Sequence, residues 1–542
     1  MPFPDITPTL PVLLHTSAAR FGDKVLVIAP GQTLTYSGAE AQSRELAKGL
    51  LAEGMGKGDH VGILLPNGVD WALAWFAATR IGAVAVPINT FYKALELAWT
   101  VRHADLRAIL TTPTFLGNDQ LALLEEALPG LSLQQTPGAI HIAAAPALRT
   151  VFVWGDTDRS WVTPGGDALA RAAAGTDVDD AFLAEVEACV TPADPIVLIY
   201  TSGSTGDPKG PVHSHGAFVR HTYNLTDLYV TREDDVLFTS MPLFWVGGLI
   251  TGLHAVLHRG ATLVTQPVFE AGEALDLIEQ HRATITLGWP QQGKTLSEHP
   301  TFAARDLSSV RRTSMPAMVP PDRQPPAIRS DSLGMSELCG NHLGVDPYVE
   351  QAEARRGTFG PSVDGLEHRI IDPDTGVEVP RGTEGEIWAR GYSLMQGLHK
   401  REREDVFTPD GFYRTGDAGV MDDDGWVRFT GRLGDMIKTP GGTNVTPAEV
   451  EAALLAIGGV LEAYVTGVPT DGGQAVVAAV VPTGDASLDS DSLRAQLRTG
   501  LSAYKVPKHI WVAAKADLPF TETGKIKKSD LAAQLAAQLK DV

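Results

Sequence analysis

"YTSGSTGDPKG", Tyr200 to Gly210, follows the apolar run Ile196-Val197-Leu198-Ile199. Within eleven residues it holds three glycines, two serines, two threonines and one lysine. No residue before Pro208 lacks a backbone N–H, so the segment can turn several donors toward one anion. The hydroxyls of Thr201, Ser202, Ser204 and Thr205 suit phosphate oxygens or Mg²⁺, and Lys209 adds a mobile positive charge for an outgoing pyrophosphate. Composition alone leaves two readings, a phosphate-holding loop and a Ser/Gly surface turn. The apolar run before it favours the first, because ligands gather at the carboxyl ends of parallel strands.

A second stretch, "GWPQQGKT" (Gly288–Thr295), fits the phosphate-loop pattern letter for letter. Its interior argues against that use. Pro290 has no N–H to give, Trp289 and two glutamines are bulky for a close backbone approach, and the following helix would meet Pro300 within about two turns. The expectation is a connection lining the core or a pocket.

Around the first loop the chain alternates strand and helix. "SGAEAQSRELAKGLLAEGMGKGD" (37–59) has helical periodicity, "HVGILLP" (60–66) reads as a buried strand, 68–83 as a helix and 84–89 as the next strand. Such βαβ units predict a parallel sheet covered by helices, repeated at "DLRAILTT" and "ATLVTQ". Residues 155–195 read as a surface excursion, and the proline-rich 319–331 cannot be a regular helix. After about residue 365 the chain becomes rich in hairpins with Asp/Gly turns. A compact helix–strand–strand–helix segment follows and closes with the helix "KKSDLAAQLAAQLK". The fold class expected is α/β: a large N-terminal domain (1–431) with parallel-rich sheets and a β-rich subregion, then a small α+β C-terminal domain (432–542). The boundary falls at "GRLGD" (431–435).

The chain has 542 residues, is 44% hydrophobic and carries a formal charge of −21, enough for more than one core and unsuited to nucleic acid or anionic membranes. Two cysteines, Cys189 and Cys339, provide neither a disulfide framework nor metal-ligand spacing. No apolar run approaches the roughly 18 residues of a membrane helix, and the start lacks a signal-peptide pattern. A cytoplasmic protein is expected, monomer or homodimer being unreadable.

The loop at 200–210 resembles the signature loop of the adenylate-forming superfamily, which comprises acyl-CoA synthetases, luciferases and peptide-synthetase adenylation domains. Further segments resemble that family's motifs in the family's order: "MPLFWVGGL" (241–249), "LGMSE" (333–337), "YRTGD" (413–417), "GRLGDMIK" (431–438), "VTPAEVE" (445–451) and "LPFTETGKIKK" (518–528). The resemblance spans nearly the whole chain and implies an AMP-forming acyl-CoA synthetase. Such an enzyme joins a carboxylic acid to ATP as an acyl-adenylate and then passes the acyl group to CoA.

The residue roles that follow are those the resemblance implies. Thr201, Ser202, Gly203, Ser204, Thr205, Gly206 and Lys209 hold the ATP phosphates. Glu337, with Thr205, binds Mg²⁺. Leu333, Gly334, Met335 and Ser336 contact the nucleotide, Ser336 replacing the family threonine. Asp417 accepts the ribose hydroxyls, and Arg432 reaches ribose or phosphate. Lys525 is the catalytic lysine, placing charge between carboxylate and α-phosphate. Phe244, Trp245, Gly248 and Trp289 form an apolar acyl pocket. The small domain then rotates, bringing Gly441 and Gly442 to the CoA thiol with Lys438 nearby.

Four departures from the family pattern stand out. Leu333 replaces the usual adenine-stacking aromatic, and "SMPA" (314–317) replaces a glycine-rich stretch. The hinge position is Gly434, and "IKTPGGTNV" is one residue longer and stiffened by Pro440. Three rivals remain open: an acyl-AMP ligase loading a carrier protein, a P-loop ATPase using Gly288–Thr295, and a binding protein that kept the fold.

Overall fold

The computed structural model describes residues 3–201, 208–318, 332–346, 351–355, 357–433, 436–484, 486–520 and 526–539. Ser202, Gly203, Ser204, Thr205, Gly206, Gly434 and Lys525 lie outside these, as does the whole of the proline-rich 319–331.

Two parallel-rich sheets form the body. One orders strands Arg312–Thr313, Ile285–Leu287, Val236–Thr239, Thr262–Val264, Val25–Ala29 and Gln32–Thr35, antiparallel only at the last pair. The other places Pro195–Leu198 beside Val84–Pro87, then His60–Leu64, Ala108–Thr111, Thr150–Val153 and Thr163–Pro164, all parallel. Pro211–Ser214 and Gly397–Leu398 add antiparallel strands at its other edge.

The main core lies between the two sheets. Helix Val69–Arg80, apolar all round, is buried along its length there, with Trp71 and Trp75 stacked at 5.9 Å. Arg80 ends this helix fully buried, bound to Glu40 and Glu187 at 3.0 and 2.5 Å. The alternation at 60–89 thus became the expected βαβ unit.

Past residue 365, Leu366–Ile371, Glu384–Gly391, Tyr413–Met421 and Val427–Arg432 form an antiparallel four-stranded sheet, the β-rich subregion expected. The C-terminal segment has its own sheet, Val460–Thr470, Gly473–Pro482 and His509–Val512. Strand alternation divides its core. Val476, Ala478 and Val480 pack under helices Pro447–Leu455 and Ser490–Gly500. Val477, Ala479 and Val481 pack against helix Lys528–Leu539. Among the described residues no helix is long and apolar enough to cross a membrane, and Cys189 is exposed while Cys339 is buried.

Candidate active site

The base of the glycine loop is a closed hairpin. Thr201 and Lys209 exchange two backbone hydrogen bonds, 2.9 and 2.7 Å, at the carboxyl end of strand Pro195–Leu198. The loop therefore joins antiparallel strands rather than opening a helix. Below it, Gly210 has no room for a side chain: a β-carbon would lie 2.6 Å from Leu198 Cδ1.

Backbone hydrogen bonds carry this strand to the "LGMSE" segment. Gln396 N–H donates to Val212 O, and Met395 N–H donates to Glu337 O, both at 2.8 Å. His213 Nε2 lies 2.6 Å from Ser336 O. Burial pushes the His213 pKa down to about 4, against the pull of that carbonyl, so the ring is neutral and Nε2 carries the donated hydrogen. The Glu337 carboxylate is 7% exposed and accepts from Tyr413 Oη at 3.2 Å. Tyr413 begins the strand that also carries Asp417, which is buried and pairs in register with Arg432. Thr201, Lys209, Ser336, Glu337 and Asp417 are thus gathered by one connected set of strands and hydrogen bonds. Leu333 and Met335 pair with strand Gly340–Leu343 and are half-buried, and Gly334 is exposed. His213 and Tyr413 hold this arrangement although no motif role pointed to them. Tyr413 opens the "YRTGD" segment without an assigned role, and the only sequence signal of His213 was its nearness to the glycine loop.

A cleft of about 720 Å³ is lined by other segments, among them Phe91, Phe244, Trp245 and Trp289. Its head is aromatic: Phe244 meets Trp245 edge-on at 5.0 Å, Trp245 meets Trp289 at 5.7 Å, and Phe91 meets Phe244 at 5.9 Å. The turn that carries Phe244 is pinned by Asn67, which donates to Met241 O at 3.0 Å and accepts from Leu243 N–H at 2.8 Å. Residues Gly247–His254 then form a π-helix, a rare form frequent at functional sites. Gly248 does not line the cleft. It is buried against the turn, where a β-carbon would fall 2.3 Å from Pro242 O. Phe91, which the sequence did not single out, is 40% exposed at the carboxyl end of a parallel strand.

"GWPQQGKT" is a wall of this cleft. Trp289 caps helix Pro290–Ser297, Gln292 bridges its N–H to Ser240 Oγ, and Gly293 is packed on Met315. Lys294 points outward, half-exposed, 4.0 Å from Glu298. The buried Gly293, the missing N–H of Pro290, and Gly288 and Trp289 N–H groups already given to Ser314 Oγ and Gln292 Oε1 leave no phosphate cradle.

The C-terminal segment covers the cleft mouth with a tight hairpin. Thr439 O accepts Gly442 N–H at 2.9 Å, Thr439 N–H donates to Thr443 O at 2.8 Å, and Gly442 has φ +74°, a three-residue loop of Pro440, Gly441 and Gly442. Gly441 lines the cleft, and Lys438 is exposed at the hairpin base.

A family model described as AMP-binding enzyme matches residues 14–399, and one described as AMP-binding enzyme C-terminal domain matches residues 449–525. The chain is 30% identical over 514 residues to indoleacetate–CoA ligase of Aromatoleum aromaticum, covering 94% of each. It is 28% identical over 557 residues to the mitochondrial medium-chain acyl-CoA ligase ACSF2 of Mus musculus, covering 99% of this chain and 89% of that one. The solved structure of amide bond synthetase McbA from Marinactinospora thermotolerans matches with a TM-score of 0.78 at 26% identity, over 96% of this chain and 99% of that one.

Proposed function

The chain belongs to the AMP-binding enzyme family and is an AMP-forming acid–thiol ligase, and from that premise we propose that it activates a hydrophobic carboxylic acid with ATP and transfers it to CoA. One observation carries the acid class and the acceptor together. The hairpin Thr439–Thr443 sits at the mouth of a cleft headed by Phe91, Phe244, Trp245 and Trp289. Four rings around the cleft suit an aromatic or aliphatic acyl chain, not a polar one. A glycine turn at its mouth leaves room for a pantetheine thiol to reach the acyl carbon.

In this assignment Thr201 and Lys209, with the loop between them, hold the phosphates, and Asp417 and Arg432 hold the ribose. Glu337, a hard oxygen ligand beside the Tyr413 hydroxyl, suits Mg²⁺, which would supply charge neutralisation to the phosphates. Lys525 neutralises the oxygens between acid and α-phosphate, and Lys438, Gly441 and Gly442 serve the thioester step. The hinge lies at 431–435, dividing the chain into domains 1–431 and 432–542. The cytoplasm is the assigned compartment.

The test is a product analysis with ATP, Mg²⁺, CoA and a panel of medium-chain, long-chain and aromatic acids. Acid-dependent AMP together with acyl-CoA is the expected result. Acyl-AMP without thioester would shift the acceptor to a carrier protein or an amine, and ADP with orthophosphate would overturn the assignment.

A further inference from the structure

A buried charge cluster fastens the C-terminal domain to the body, and of its members only Glu449 falls in a quoted motif, "VTPAEVE". Glu96 lies in the first turn of helix Ala94–His103, its Oε2 accepting Lys93 N–H at 2.9 Å. From the C-terminal domain, Lys505 Nζ reaches Glu96 Oε1 at 2.5 Å and Glu449 Oε1 at 2.7 Å. Ser502 Oγ lies 2.7 Å from Glu96 Oε2. The Lys505 and Glu96 side chains are only 4% and 7% exposed.

The partition of partners makes this contact able to open. Glu449 belongs to the same domain as Lys505, so the ammonium keeps a carboxylate when the domain leaves. Glu96 keeps the Lys93 N–H. Separation strands no unpaired buried charge, the cost that makes an ordinary buried pair hard to break.

The cluster is also joined to the cleft. Ser502 Oγ lies 3.0 Å from the carbonyl of Phe91, whose ring packs on Phe244 and Trp245. The same docking sets Gly442 on Trp289. It uses the face of the small sheet that carries helices Pro447–Leu455 and Ser490–Gly500, the latter packed on helix Ala94–His103. Phe520 and Ile526, which flank Lys525 in sequence, pack on the opposite face. The docked face therefore favours the thioester hairpin.

Resting on the thioester assignment above, we propose that Glu96 and Lys505 are positioning residues, an interdomain latch that holds the small domain in its thioester-forming arrangement and opens for acid activation. The latch adds nothing to activation and sets the fraction of molecules in which Gly442 covers the cleft.

Rapid-quench kinetics on the full-length enzyme read the two half-reactions separately: acid-dependent pyrophosphate release, and acyl transfer to CoA from preformed enzyme-bound acyl-adenylate. Lys505→Met and Glu96→Gln are expected to slow transfer on the order of tenfold or more while activation stays within about twofold or rises. Ser502→Ala, which leaves all charges in place, should fall between them and wild type. Lys505→Arg, which keeps a cation between Glu96 and Glu449, should retain more transfer than Lys505→Met. Unchanged transfer in the single variants, or equal loss of both half-reactions with a lowered Tm, would overturn the latch. Wild-type enzyme that forms acyl-AMP but no acyl-CoA would instead overturn the thioester assignment, and the latch with it.

Discussion

Gly442 rests its backbone on the indole of Trp289: a β-carbon on Gly442 would lie 2.2 Å from Trp289 Nε1. Its φ of +74° disfavours a side chain independently. Gly442→Val should therefore keep the small domain from seating and slow acyl transfer to CoA by on the order of a hundredfold, as an ångström-scale misplacement does. Pyrophosphate release in the activation half-reaction should stay near wild type. Equal transfer rates in variant and wild type would remove the hairpin from the thioester step.

Trp245 is the ring shared by the whole aromatic head, touching Phe91, Phe244 and Trp289. Trp245→Ala empties the space of an indole at the cleft. The ratio of kcat/KM for longer over shorter acids should rise by roughly tenfold or more, since each methylene in an apolar pocket is worth about 1–3 kcal/mol. An unchanged ranking across an acid series would place the acyl chain elsewhere.

Two lysines separate the two glycine stretches. Lys525→Ala should abolish acid-dependent pyrophosphate release, with a loss on the order of a thousandfold, yet retain transfer from supplied acyl-adenylate. Lys294→Ala, at an exposed helix position beside Glu298, should leave both half-reactions within about twofold. The reverse pattern would restore Gly288–Thr295 as the nucleotide loop.

His15 ties the first helix to the body through Glu187 at 2.7 Å and Glu40 at 3.3 Å. The hydrogen bond to Glu187, then that to Glu40, raise its pKa from 6.5 to about 9. A raised histidine pKa adds stability that is fully present below about pH 6.5 and is lost as pH rises through about 9. His15→Gln should lower Tm most near pH 6, with the gap closing by about pH 9.5. A pH-independent gap would mean that packing, not charge, is what His15 contributes. On the acid side, burial raises the Glu40 pKa, but hydrogen bonds from His15, Arg44 and Arg80 outweigh it and hold the group at about 2. Its contribution is then lost between about pH 4.5 and 2.

Much of the fold was legible because its cues are local. The βαβ alternation at 60–89 and the Asp/Gly hairpins after 365 follow from side-chain period and turn residues, and both appear as read. Pro290, the bulk of Trp289 and the glutamines, and the nearby Pro300 were enough to doubt the phosphate-loop pattern, and the helix Pro290 opens turns out to be a cleft wall. Gly248 was harder. A glycine in a pocket motif reads equally as lining or as close packing, and only the 2.3 Å approach to Pro242 O decides for packing.

By itself the sequence determined the family, the order of the motifs and the alternation of strand and helix, because those cues lie within a few residues of one another. Only the tertiary structure decided that Phe91 joins Trp245 at the cleft, that His213 holds Ser336, and that Lys505 meets Glu96 across 409 positions of chain. Such pairs leave no local trace. A lysine in "AYKVP" is soluble by composition, and it becomes a buried latch only when two separately folded cores bring carboxylates from both sides to exclude its water.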